Sequence, residues 1–227
     1  MNIAIHQIRA LLTNLSWVFE KLVGKGIGNL SQDQYEAVSY GKNTTENAIN
    51  LINDTLNAAV VGRVEPRFRF KLNDINKILD SIIAEYAQIA KERNMQLFFE
   101  KSVRPIPLFF FDSSQMYLAL HDLLHNAMKY TKDGGKISLK TEMSDGKTRI
   151  TIEDNGIGVP AGQIDKIFNK FFRADNAKKI EENGSGLGLF IAKRIITRHN
   201  GLIELQSKEN VGTKIEITLP LLQVEPK

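Results

Sequence analysis

Apolar residues at Ile5, Ile8, Leu12, Leu15, Phe19 and Leu22, spaced alternately three and four, constrain this chain more than any other feature. That spacing sets all six side chains on one stripe of a helix, and a stripe of this length needs a partner surface. Gly24, Gly26 and Gly28 end it, and Ser31 with Gln34 three residues on reads as a capping box opening a second helix. Tyr35, Val38, Thr45, Ala48, Ile49, Ile52, Leu56 and Ala59 continue the spacing, with Lys42 as a polar interruption. An antiparallel hairpin cannot bury such a seam alone, so a homodimeric four-helix bundle is expected. The second helix, about Gln32 to Val61, overhangs the first by roughly 10 Å at ~1.5 Å per residue, so the chain is expected to continue upstream of Met1.

The hydrophobic period changes after Gly62-Arg-Val-Glu-Pro66. The expected division is 1–65 for the hairpin, 66–222 for a second domain and 223–227 for a tail. Phe68, Phe70 and Leu72 alternate with basic residues as a strand, and Asn73 or Asp74 caps a helix carrying Ile75, Ile78, Leu79, Ile82, Tyr86 and Ile89. Further strands are expected at Gln96 to Lys101, Leu108 to Phe111, Lys136 to Thr141, Thr148 to Glu153, Leu202 to Ser207 and Lys214 to Leu219. Helices are expected at Ser113 to Tyr130 and Gly188 to His199. The fold class is therefore α+β, a helical hairpin followed by a two-layer α/β sandwich.

Composition excludes several classes. The 227 residues are 42% apolar and 25% charged, without cysteine, so neither a disulfide framework nor a thiolate metal site exists. No run of about 18 apolar residues and no cleavable signal pattern occurs. The net charge of +4 is interspersed with acidic residues, which gives no support to nucleic-acid binding.

The chemistry gathers in the second domain. Asp154-Asn-Gly-Ile-Gly-Val-Pro160 leaves a half-buried strand, so it is either a tight turn or a loop that fixes a carboxylate where a ligand approaches backbone. Asn126 lies among the core-facing Leu120, Leu123, Leu124 and Ala127, as a satisfied interior amide or as a ligand. Lys129, three residues on, shares its face and could reach a phosphate. Gly184, Gly186 and Gly188 open the apolar run Leu189 to Ala192, and a helix N-terminus there suits phosphate. His6 beside the seam is either a flanking residue or a reachable neutral nucleophile. His121 and His125 are weaker candidates, and His199, before Asn200-Gly201, reads as the cap of a helix C-terminus, where the dipole favours a cation. Trp17, Ala10, Thr13, Asn14 and Lys21 share the face of His6, so Trp17 is a lone exposed aromatic or part of a docking surface.

Together these pieces resemble the bacterial two-component sensor histidine kinases, over nearly the whole chain. The run ending Asn126-Ala-Met-Lys129-Tyr130 resembles the N box, Asp154 to Gly158 the first glycine box and Ile167 to Arg173 the F box. Gly184-Ser185-Gly186-Leu187-Gly188 and Gly212-Thr213 resemble the later glycine boxes, and Ile5-His6-Gln7-Ile8-Arg9 the H box. The resemblance implies ATP and Mg²⁺ as cofactors, with Asp154 accepting from the adenine amino group and Asn126 on the metal. Lys129, Lys170 and Arg173 would contact phosphates, and Tyr130, Gly156, Gly158, Gly184, Ser185, Gly186, Leu187, Gly188 and Thr213 would complete the nucleotide site. Ala174 to Asn183 would be a flexible ATP lid. His6 would be the phosphoacceptor, with Gln7 and Arg9 beside it in catalysis. The implied function is autophosphorylation on His6 and transfer to an aspartate of a response-regulator receiver domain, in a cytoplasmic segment whose only membrane tie is an upstream sensor. The rival reading is an ATP-binding dimeric scaffold with impaired phosphorylation; the hairpin histidine counts against a gyrase or MutL type of ATPase.

The chain departs from that pattern in three places. Gln7 replaces the usual acid, Ala10 the usual Thr or Asn, and Leu11 the usual Pro. Slow autophosphorylation, weak phosphatase activity and a straighter first helix are expected.

Overall fold

The computed structural model describes residues 2–23, 30–31, 34–35, 37–39, 41–42, 45, 68–181 and 184–222, with backbone alone for 2–10 and 23. The chain divides into two compact units, residues 1–63 with 183–185 and residues 64–182 with 186–227. In the first, α1 (Asn2–Val23) covers the whole expected seam as helix. Leu11, Leu15, Trp17 and Val18 stay exposed along it, Leu11 by 64% and Trp17 by 55%, and Lys21 Nζ lies 3.8 Å from the Trp17 ring centroid. The capping box forms: Ser31 N–H donates to Gln34 Oε1 at 2.9 Å and Gln34 N–H to Ser31 Oγ at 3.3 Å. Residues 34–35, 37–39, 41–42 and 45 are helical, and a Cβ at Gly41 would meet the Phe19 ring at 2.6 Å, so α1 and this helix pack closely there. The glycines at 24, 26 and 28, the remainder of the second helix to Val61, the 62–66 junction and the 223–227 tail lie outside the described residues.

The second unit is built from β1 (Lys71–Asn73), α2 (Ile75–Glu92), β2 (Gln96–Glu100), β3 (Phe109–Phe111), α3 (Ser113–Tyr130), β4 (Lys136–Ser144) and β5 (Lys147–Asp154). After a 3-10 turn (Ala161–Lys166) come α4 (Asp175–Ile180), α5 (Gly188–Arg198), β6 (Leu202–Lys208) and β7 (Gly212–Pro220). Among the described residues the strands order β2-β4-β5-β7-β6 in one sheet, with β1-β3 as a separate antiparallel pair. β2 and β4 run parallel because α3 lies between them in sequence; β4-β5, β5-β7 and β6-β7 are antiparallel. The β4-β5 connection is Asp145-Gly146 at positive φ, the residue pair that a two-residue hairpin favours.

Period-2 apolar residues of the sheet, Ile137, Leu139, Ile150, Ile152, Ile215, Ile217 and Leu219, are buried. So are Ile75, Leu79 and Ile82 of α2, Leu120, Leu123 and Leu124 of α3 and Ile191, Ile195 and Ile196 of α5, which form the helical layer. Each such side chain contributes about 1.5–3 kcal/mol on burial. Asp112 caps α3, its Oδ1 accepting from Ser114 and Gln115 N–H at 3.0 Å each. Arg93 closes the other end, its guanidinium donating to the Met128 and Thr131 carbonyls.

Three expectations need correction. The strand at Phe68 to Leu72 shrinks to Lys71–Asn73, because Phe68 and Phe70 both pack on the His199 ring, at 5.3 and 5.0 Å between centroids, and the Arg69 N–H goes to Asp112 Oδ2 at 2.7 Å. His199 is the C-cap of α5 as expected, but not as a cation: it is buried, which lowers its pKa, and its Nε2 accepts from the Asp112 N–H at 3.0 Å. That leaves Nδ1 as the N–H, donating to the Ile195 carbonyl at 2.8 Å, a neutral imidazole joining α5 to α3. The third correction concerns the stretch 174–183 expected as a flexible lid, of which 182–183 lie outside the described residues. Asp175–Ile180 is helical, because Ala174 and Ala177 are buried in an apolar cluster with Val159 and Ile167, packed against by Tyr130, Ile164, Phe168, Phe172 and Leu189.

Candidate nucleotide-binding site

The β5-β7 register pairs Asp154 with Thr213 at the end of the sheet. Asp154 Oδ1 accepts from Gly156 N–H at 2.8 Å and from Thr213 N–H at 3.3 Å, which pins the carboxylate. Burial pushes its pKa up to about 6 despite those bonds. The loop then folds back on the end of α3, where Ile157 N–H donates to the Tyr130 carbonyl at 3.1 Å. A Cβ at Gly156 would strike that carbonyl at 2.4 Å, so only glycine allows the approach. On the far side Ile157 O accepts from Asn210 N–H at 2.7 Å and Val159 N–H donates to Ser207 Oγ at 2.9 Å, and Ser207 Oγ in turn lies 2.9 Å from Thr213 Oγ1.

α3 carries the second wall. Asn126 is half-exposed and, among the described residues, has no hydrogen-bonding partner, so it is not the satisfied interior amide that its core-facing neighbours allowed. A Cβ built on Gly188 would lie 3.6 Å from Asp122 Oδ2 and 3.8 Å from Asn126 Nδ2, so both side chains front the first residue of α5. Asp122 was not singled out from sequence. The signal was there, since a carboxylate four residues before an amide shares its helical face. No side chain caps α5, whose preceding residue Leu187 is fully buried. Gly184 and Ser185 lie in the segment leading to it, and Gly186 O accepts from Phe171 N–H at 3.0 Å.

The cations are less simply placed. Lys129 pairs with Glu181 beyond the end of α4, and Arg173 donates to the Glu181 carbonyl. Lys170 is exposed, its Nζ 4.9 Å from the Phe171 ring centroid. His121 and His125 turn the other way and share the Tyr86 hydroxyl at 3.1 Å each, an attachment of α3 to α2. Among the described residues no group of three or more His, Asp or Glu could hold a metal. Asp122 and Asn126 nonetheless fit Mg²⁺, which uses few protein oxygens and takes the rest from phosphates and water. His6, Gln7 and Arg9 lie on α1, and their side chains are outside the described residues.

Residues 111–223 match the family model for histidine kinase-, DNA gyrase B- and HSP90-like ATPases. Over 226 residues the chain is 32% identical to the sensor protein kinase WalK of Staphylococcus aureus, covering 97% of this chain and 52% of that relative. For WalK of strain JH9 the share of the relative is 36%, so the chain spans at most about half the length of these relatives. Among solved structures, full-length ShkA in complex with AMPPNP superposes with a TM-score of 0.77 at 21% identity, covering 99% of this chain and 46% of that one. Histidine kinase ThkA in complex with the response regulator TrrA gives 0.67 at 21% identity, covering 97% and 60%. The expected two-layer sandwich is thus borne out, and among the described residues no helix is long and apolar enough to cross a membrane. Nearly the whole chain is thus similar to sensor histidine kinases, and residues 111–223 carry the ATPase domain that these share with DNA gyrase B and HSP90.

Proposed function

We propose that this chain binds ATP in the second unit, phosphorylates His6 and passes the phosphoryl group to an aspartate of a response-regulator receiver domain. The observation that carries the reading is the convergence just described: a pinned carboxylate, an Asp122–Asn126 pair and an uncapped helix start on one side of one sheet. The free oxygen of Asp154 accepts from the adenine amino group, and the N–H groups at the start of α5 receive phosphate. Asp122 and Asn126 would hold Mg²⁺, which supplies charge neutralisation on the phosphates. In the transfer a ring nitrogen of His6 forms the N–P bond as the bond from the γ-phosphorus to the ADP oxygen breaks. ADP leaves with that electron pair, and the ring proton goes to solvent, since the Gln7 amide has no capacity to take it. AMPPNP bound to ShkA and TrrA bound to ThkA support this assignment of ligand and partner.

In this reading residues 1–65 are the dimerisation and phosphotransfer hairpin, a four-helix bundle with a second copy, and 66–222 the catalytic domain. The exposed Leu11, Leu15 and Val18 on α1 support a partner helix. Trp17 on its exposed face belongs to the surface that receives the regulator.

The test is incubation of the chain with γ-labelled ATP. Acid-labile label on His6 is expected, falling by 100-fold or more in Asn126→Ala, a loss of about 2.7 kcal/mol of transition-state stabilisation. Bound ATP without label would leave a scaffold and refute the kinase reading. Gln7→Glu is expected to speed autophosphorylation about tenfold, and Ala10→Thr to speed regulator dephosphorylation by a similar factor, about 1.4 kcal/mol of barrier. Unchanged rates in both, measured by quench-flow, would mean that neither departure limits the chemistry.

A further inference from the structure

Glu181 stands where two phosphate-assigned cations meet. Lys129 projects from α3 to its Oε2, and Arg173, from the stretch before α4, donates to its backbone carbonyl. Glu181 is itself the C-cap of α4, its N–H donating to the Ala177 carbonyl at 3.2 Å. The carboxylate therefore hangs from the end of the lid helix. Its side chain is 27% exposed and that of Lys129 25%, and Glu181 Oε2 is closed to solvent. A desolvated carboxylate is costly unless a cation answers it, and the same holds for the ammonium.

The rest of α4 is fastened so as to keep Glu181 there. Asn176 Nδ2 donates to the Gly158 carbonyl at 2.9 Å, joining the lid to the Asp154 loop. Gln163 and Asp175 exchange two hydrogen bonds, Nε2 to Oδ2 at 2.6 Å and Asp175 N–H to Oε1 at 3.0 Å.

We propose that Glu181 is a built-in competitor for the nucleotide's phosphate groups, its carboxylate holding Lys129 until phosphate displaces it. This deepens the nucleotide-site reading and rests on it. Phosphate and the Glu181 carboxylate claim the same Lys129 ammonium, so binding of ADP or ATP must break the internal pair, and apparent affinity is scaled down in proportion to the fraction of molecules in which the pair is already open. Adenosine, which ends before the phosphates, makes no such demand. The device thus sets the affinity of the site for phosphorylated nucleotides and leaves adenine recognition untouched.

Calorimetric titration of the full chain and of Glu181→Gln with adenosine, ADP and ATP tests this. The substitution keeps size and removes charge, so ADP and ATP are expected to bind about fivefold tighter with adenosine unchanged. In a Lys129→Met background the same substitution is expected to yield no gain, because the cation that couples the two is gone. Equal or weaker ADP binding by Glu181→Gln, a gain shared by adenosine, or a gain that persists without Lys129 would each overturn the proposal. ATP binding by neither protein would overturn the nucleotide-site reading beneath it.

Discussion

Asp154→Asn is expected to unfold at a higher temperature than the parent near neutral pH and to bind ATP at least 100-fold more weakly. Both effects come from one buried charge. Burial raises the Asp154 pKa to about 6, so above that pH the fold carries a carboxylate whose environment favours the neutral acid. A rise of that size from the ordinary carboxylate value is worth roughly 3 kcal/mol. Asparagine keeps the oxygen that accepts from Gly156 and Thr213 N–H and removes the charge, so most of that energy returns to the fold, roughly 5 °C in Tm for a domain of this size. The cost falls on recognition. The second oxygen becomes an NH₂ donor facing the adenine amino donor, and a buried polar mismatch of that kind costs about 2–3 kcal/mol.

The pH dependence fixes the sign. Because the folded-state pKa is raised, the Asp154 contribution to stability is fully present below the ordinary carboxylate pKa and is lost as pH rises through about 6. The stability advantage of Asp154→Asn therefore grows with pH over that window. ATP affinity of the parent moves the opposite way, weakening as pH falls below about 6, because the protonated acid loses the acceptor. Thermal unfolding and ATP titration at about pH 5 and about pH 8 check both. A variant of unchanged ATP affinity would remove Asp154 from the adenine site.

Gly158→Ala is expected to lose roughly 3–5 kcal/mol of stability and all measurable ATP binding. Gly158 sits at φ +61°, and a Cβ there would lie 2.0 Å from the Lys208 carbonyl oxygen and 2.6 Å from its carbon. The left-handed conformation alone costs an alanine about 1–2 kcal/mol, and the overlap is with backbone, which no rotamer change relieves. The loop would have to leave the β6-β7 turn, giving up the Asn210-to-Ile157 bond and the contact of Asn176 with the Gly158 carbonyl. Two other glycines calibrate the series. Gly134 has φ +76° and nothing within 4 Å, so alanine there should cost only the conformational part; Gly162 has neither problem and should be near neutral. Urea unfolding of the three variants measures the ranking, and a Gly158→Ala protein as stable as Gly162→Ala would refute the close-approach argument.

Local chemistry made much of this protein readable in one dimension. Ser113 to Tyr130 was expected as a helix from its apolar spacing and is one to the residue, because spacing and its Asp112 cap act within a few residues of each other. The Ser31–Gln34 box is local for the same reason, as is the loop from Asp154 to Gly158, whose glycines announce a backbone approached closely. Asp122 was also within reach, one helical turn from Asn126. Tertiary structure alone decided the rest. Arg93 closes α3 across 35 residues, His199 is neutral because α3 and Phe68 enclose it, and Asp175–Ile180 is helical because an apolar cluster from distant segments receives it. The family resemblance implies Lys129 and Arg173 as cations for phosphate, yet the Glu181 carboxylate pairs with Lys129 and its carbonyl accepts from Arg173. Charge pairing and burial depend on which segments the fold brings together, and neither residue type nor spacing carries that distance.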